Sequence, residues 1–187
     1  MTEAGRRRPR VVLLTGEPGS GKTGLGLELA RALHVPFLAR DQVRRGMYLT
    51  AGGWGDRAAP APTAEEAVEV FLRLVEAMVG HGVSCVVEYV VRAGRPQDLD
   101  RLTAIADCVV VETWCADAPG RRAARDGADP LLRGEPEEVE AVRAERMAQV
   151  AREMQRTFDL PVLRVRTDDG YDPDLEAVMA FATGAGT

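Results

Sequence analysis

Gly16-Glu17-Pro18-Gly19-Ser20-Gly21-Lys22-Thr23 fills every fixed position of the spacing G-x-x-x-x-G-K-[ST]. That spacing is built to hold phosphate. The glycines let backbone N–H groups turn inward around an anion. A helix starting near Gly21 aims its positive end at the same anion. Lys22 reaches the β- and γ-phosphates of a nucleoside triphosphate as a compact point charge. Thr23 offers a hydroxyl oxygen to Mg²⁺. The expected ligand of Gly16 to Thr23 is therefore a nucleoside triphosphate with Mg²⁺.

Composition singles out the same lysine. The chain has 24 basic residues, and Lys22 is the sole lysine among them. There is no Asn, and Ile105 is the one isoleucine, a pattern that fits coding from a GC-rich genome. Arginine is bulkier and planar, so the narrow loop is where the exchange to Arg is least tolerable.

A phosphate loop serves switches, motors and kinases alike. A kinase needs in addition an acceptor-side base, a metal-side carboxylate and positive charge over the transferred group. Asp41, in Arg40-Asp41-Gln42-Val43-Arg44, follows a short apolar run. Were that strand to neighbour the first, its C-terminal end would face the phosphate loop. Asp41 would then accept the proton of an attacking hydroxyl, and Arg44, one turn on, would bind the acceptor. The plainer role for Asp41 is a helix N-cap, and the two coexist.

Glu88 ends the run Val86-Val87-Glu88, where a carboxylate holds a magnesium water or the acceptor. Tyr89 and Arg92 follow it as acceptor contacts. Arg121 and Arg125 share a helical face at i, i+4. On a flap over the triphosphate they would stabilise the charge that spreads in transfer. Trp54, in Gly52-Gly53-Trp54-Gly55, is a candidate stacking surface for the acceptor, and Arg133 is a weaker flap candidate.

The elements that must position these groups alternate. Strands are expected at 10–15, 35–39, 83–89, 108–114 and 161–166. Helices are expected at 21–33, 41–49, from Thr63 through the Val68, Phe71, Leu72, Val75, Val79 stripe, and at 96–106, 117–126, 137–158 and 173–181. Thr63 and Glu66 have capping-box spacing. Strands alternating with helices predict a parallel α/β sheet covered on both faces.

The chain has 187 residues, 45% hydrophobic and 28% charged. That is one soluble domain's worth, and it excludes disordered, collagenous and coiled-coil chains. The apolar runs are too short to span a bilayer, and no signal peptide is visible. Net charge is −5. Arg6, Arg7, Arg8 and Arg10 against Glu3 make the first ten residues locally basic, and the rest is acidic. Residues 1–9 read as a flexible basic tail, with a nucleic-acid arm as the alternative. Cys85, Cys108 and Cys115 have no disulfide or metal spacing, which points to a reducing cytoplasm.

The segments GEPGSGKT, ARDQVRRGMY, CVVEY and ADAPGRRAARDG, in this order, resemble small P-loop kinases. The likeness is to the kinase domain of polynucleotide 5′-hydroxyl kinases and to chloramphenicol phosphotransferase-like kinases, over roughly residues 11–167. The resemblance implies a three-layer P-loop NTPase fold. Its five-stranded parallel sheet has the order 2-3-1-4-5, with helices on both faces and an arginine-bearing lid at about 117–136. It makes Asp41 the general base, Arg44 an acceptor contact and Arg125, with Arg121, the lid arginines. Glu88 departs from the Asp that commonly ends the third strand in such families. The expected activity is ATP-dependent transfer of the γ-phosphoryl group to a hydroxyl of a small molecule. A polynucleotide 5′-hydroxyl kinase, and a non-kinase regulatory ATPase, are the alternatives.

Overall fold

The run Arg10-Val-Val-Leu-Leu-Thr-Gly16 becomes the central strand because its side chains are apolar on both faces and β-branched at three positions. In the computed structural model, which describes residues 8–53, 62–91, 95–128 and 159–185, this run is β1 (Arg10–Gly16), buried from Val11 onward. For residues 125–128 only the backbone is described.

Strand β1 pairs in parallel with β3 (Cys85–Glu88) on one side and β4 (Asp107–Trp114) on the other. The outer strands are β2 (Phe37–Ala39), paired with β3, and β5 (Val162–Arg166), paired with β4. The sheet order is β2-β3-β1-β4-β5, all parallel, as the P-loop NTPase fold requires. The chain leaves β1 toward one edge and later returns to the other. The C-terminal end of β1 is therefore a topological switch point, where such sheets bind ligands.

Alternation along β1 divides the core. Val11 and Leu13 face α3 (Ala64–Gly80) and α4 (Pro96–Ile105), packing with Phe71, Leu72, Val75 and Leu102. Val12 and Leu14 face α1 (Lys22–Leu33) and, last in the chain, α6 (Leu175–Thr183), packing with Leu25, Leu29 and Val178. Between these lie α2 (Arg40–Tyr48), continued by a wider turn over Leu49–Gly53, and α5 (Ala118–Ala128). The expected helix over 137–158 lies outside the described residues.

Thr63 caps α3 as its spacing predicts. Its hydroxyl accepts from Glu66 N at 3.1 Å, and Glu66 Oε2 accepts from Thr63 N at 2.8 Å. The order is the one the resemblance implies, so the second strand reaches the phosphate loop from across β3. One expectation needs correction. Of the residues read as a flexible tail, Arg8 and Pro9 are fixed. Arg8 donates to the carbonyls of Thr103 and Ala104 at the end of α4, and Pro9 O accepts from Asp107 N. An arginine there complements a helix C-terminus. Residues 1–7 lie outside the described residues. No helix among the described residues is long and apolar enough to cross a membrane.

Candidate functional site

The loop between β1 and α1 is shaped by backbone that only glycine adopts easily. Gly16, Gly19 and Gly21 have φ of 141°, 94° and 81°. At Gly19 a side chain is excluded twice, because a Cβ would also strike the carbonyl oxygen of Ala118. Residues of alternating handedness turn their N–H groups to one side, forming an anion-binding concavity. Ser20 N closes the turn onto Glu17 O at 3.0 Å.

Lys22 opens α1 and is 7% exposed. Its ammonium donates to the carbonyls of Gly16 at 2.9 Å and Glu17 at 2.7 Å. It therefore folds back along the loop rather than extending into solvent. The next residue, Thr23, donates its hydroxyl to Glu88 Oε2 at 2.8 Å. Sequence put these two groups 65 residues apart on the metal side of the reaction, and the fold brings them into contact. A hydroxyl and a carboxylate are hard oxygen donors, and they fit a Mg²⁺ ion that keeps part of its water shell.

Strand register places Asp41. Ala39 is level with Glu88, and Glu88 with Leu14, so Asp41 sits at the same C-terminal edge as the phosphate loop, across β3. It lies in the first turn of α2, whose N-cap is Ala39 with no side-chain capping bond. Its carboxylate is 76% exposed and pairs with Arg40 Nη1 at 3.0 Å. The helix start favours a negative charge there without using it as a cap. Arg44 donates from Nε to Pro62 O at 3.1 Å, tying α2 to the chain that enters α3.

Arg121 lines the hollow over the loop, with its guanidinium engaged on the far side. It donates to Thr167 O at 2.8 Å and to Asp168 O. In this structure it tethers α5 to the end of β5. The Asp168 carboxylate accepts from Ala116 N at 2.9 Å and from the Cys115 thiol at 3.3 Å. The Ala116 amide first, and the Cys115 thiol second, hold its carboxyl below the ordinary range.

Tyr89 is not brought to the site. It is buried against Phe71, and its hydroxyl donates to Asp98, itself 2% exposed. Arg95 Nε lies 3.0 Å from the same carboxylate, without hydrogen-bond geometry. Trp54, Arg92, Arg133 and the side chain of Arg125 lie outside the described residues.

Two residues that the sequence reading passed over meet the loop from below. Thr113 Oγ1 lies 2.7 Å from Ser20 Oγ, and Thr167 Oγ1 donates to Ser20 O at 2.9 Å. Their sequence signal is a threonine at or just past the C-terminal end of an apolar strand. That is the edge where a phosphate loop must lie.

The hollow above the loop measures about 180 Å³ and is bounded by Gly19, Gly21, Lys22, Thr23, Glu88 and Arg121. A larger one, about 400 Å³, lies at the opposite edge of the sheet beside Arg8, Arg10, Ser84 and Asp107. There Arg8 and Arg10 donate to helix-end carbonyls, Arg10 to Ala182 O at 3.1 Å. Those arginines serve helix termini, and none of the predicted site residues is near.

No protein-family model matches the chain, and no curated protein matches it either. Solved structures do. A candidate kinase from Chloroflexus aurantiacus is 23% identical with a TM-score of 0.69, over 95% of this chain and 98% of that one. A gluconokinase from Sinorhizobium meliloti is 16% identical with a TM-score of 0.57, over 96% and 95%. A chain of the Pnkp1/Rnl/Hen1 RNA repair complex is 16% identical with a TM-score of 0.60, over 85% of this chain and 49% of that one. These likenesses show a shared fold.

Proposed function

We propose that the chain is an ATP-dependent kinase that transfers the γ-phosphoryl group to a hydroxyl of a small molecule. The observation that carries this reading is the gathering of three parts on one sheet edge. They are the phosphate loop with Lys22, the Thr23–Glu88 pair at 2.8 Å, and Asp41 at the end of the strand paired with Glu88. A nucleotide switch needs the first two. The third supports an acceptor at this edge.

In this reading the loop amides and Lys22 hold the β- and γ-phosphates. Thr23 and Glu88 hold Mg²⁺, which when bound neutralises charge on the phosphate oxygens. Asp41 orients the acceptor hydroxyl and takes its proton as the oxygen attacks phosphorus. Arg44 binds the acceptor beside it. Arg121 and Arg125, both on α5, bring positive charge to the edge of the triphosphate site. A gluconokinase with the same fold agrees with a small hydroxylated acceptor.

A polynucleotide 5′-hydroxyl end is the second acceptor to test, because the Asp41–Arg44 spacing and the fold of the RNA repair chain both favour it. The acidic body disfavours a broad phosphate-backbone footprint. The test is a screen of sugars, sugar acids, polyols and 5′-hydroxyl oligonucleotides with γ-labelled ATP. Label on a small hydroxyl compound is the expected result. Label on the oligonucleotide alone would replace the acceptor class, and hydrolysis with no labelled acceptor would remove the kinase reading.

A further inference from the structure

The hydroxyl groups beneath the phosphate loop take no part in the transfer step above, yet they converge on its middle residue. Ser20 is fully buried. Its carbonyl accepts from Thr167 Oγ1 at 2.9 Å, and its hydroxyl meets Thr113 Oγ1 at 2.7 Å. Thr113 also donates to Thr15 O at 3.3 Å. Each hydroxyl has one proton to give, so Ser20 donates to Thr113 and Thr113 donates to Thr15.

Thr167 is committed at every polar atom. Its N–H donates to Trp114 O at 3.0 Å, its hydroxyl donates to Ser20 O, and its carbonyl accepts from Arg121 Nη1 at 2.8 Å. Its side chain also closes on the loop backbone, since a Cβ at Gly21 would lie 2.8 Å from Thr167 Oγ1. The turn before α5 is pinned to the same place through Asp168, Ala116 and Cys115. One residue thus joins the loop on one side to α5 on the other.

We infer that Thr167 is the positioning residue of the phosphate loop, and that Arg121 acts through it as a strut coupling α5 to the loop. This deepens the proposed function and rests on it. Amides that must converge on phosphate are effective when their geometry is fixed before the ligand arrives. Removing the Thr167 hydroxyl leaves a buried carbonyl short of a donor and frees the middle of the loop.

The test uses Thr167→Val, which keeps shape and removes the hydroxyl, Thr167→Ser, which keeps it, Arg121→Gln, and the Val/Gln double variant. Calorimetry titrates each with MgATP and, separately, with magnesium tripolyphosphate. Thr167→Val is expected to weaken both ligands by about three- to tenfold, the loss of one hydrogen bond. Thr167→Ser is expected to stay within about twofold of wild type. The double variant is expected to lose less than the two single losses combined, because the two changes cut one chain of contacts.

Wild-type tripolyphosphate affinity in Thr167→Val, or a fully additive double variant, would overturn the inference. A role in general stability alone would lower the unfolding midpoint and leave the affinity of the folded fraction unchanged, which also overturns it. Should the Val variant fail to fold, Thr167→Cys, similar in size with a weak donor, takes its place in the cycle. Wild-type protein that binds neither ligand would contradict the proposed function itself. Wild-type binding with unaffected variants contradicts this inference alone.

Discussion

Lys22 sits almost out of solvent and donates to two carbonyls of its own loop. A planar guanidinium there would have to displace backbone that already packs against Ala118 of α5 and against Thr167. Lys22→Ala is expected to lower transfer by at least about a hundredfold with the unfolding midpoint unchanged, seen by γ-label transfer and thermal melting. Lys22→Arg is expected to fail nearly as badly, and full activity in that variant would contradict this account of the loop. At the residue scale the eight loop positions were legible because fixed spacing carries their chemistry. Asp41 and Glu88 were legible because carboxylates stand at strand ends. Thr113 and Thr167 were not. Their partner, Ser20, lies 93 and 147 residues away, and a threonine's role depends on which strand stands beside it. Tyr89 misled because a phenol after a strand reads as exposed, whereas here Asp98 satisfies it inside the core.

Among the described residues the expected strands and helices form, with boundaries shifted by a few residues at their ends. The stripe Val68, Phe71, Leu72, Val75 and Val79 is buried along the whole of α3. Thr63→Ala removes the hydroxyl that accepts from Glu66 N, leaves the backbone bond from residue 63 to Glu66, and is expected to cost about 1 kcal/mol in urea denaturation, with activity retained. The strand order 2-3-1-4-5 came from the resemblance and is the one observed, whereas adjacency in sequence alone does not fix adjacency in a doubly wound sheet. The candidate site does not depend on which strand flanks β1, since every strand is parallel and all C-terminal ends lie together. Contact between elements predicts a further result. Gly19→Ala combines a strained φ with a clash against Ala118 at the start of α5. It is expected to weaken MgATP binding more than tenfold by calorimetry, an effect of at least ~1.4 kcal/mol.

At the scale of the whole molecule, charge and ionisation set how the protein meets its solvent. Burial first, with a smaller push from Cys108, raises the Cys85 thiol from 9.0 to about 12. Burial also raises Cys108 to about 11 and, with the Glu28 bond second, lifts the Tyr171 phenol from 10.0 to about 12. The unfolded chain therefore loses these protons first as pH rises. The stabilising contribution is whole below about pH 9 and falls away between about pH 9 and 12, as urea midpoints across that range should show. On the acid side the Arg101 bond first, and Arg73 second, lower Glu69 from 4.5 to about 2. Its contribution is present above about 4.5, is lost as pH falls toward about 2, and is small because the group is exposed.

The central claim is that Asp41 makes this edge of the sheet a transferase and not only a nucleotide site. The direct measurement compares wild type with Asp41→Asn, using γ-labelled ATP and the acceptor the screen identifies, with MgATP affinity measured alongside. The account predicts loss of about a hundredfold or more in transfer and nucleotide affinity within a few-fold of wild type. Transfer at the wild-type rate in Asp41→Asn would contradict it.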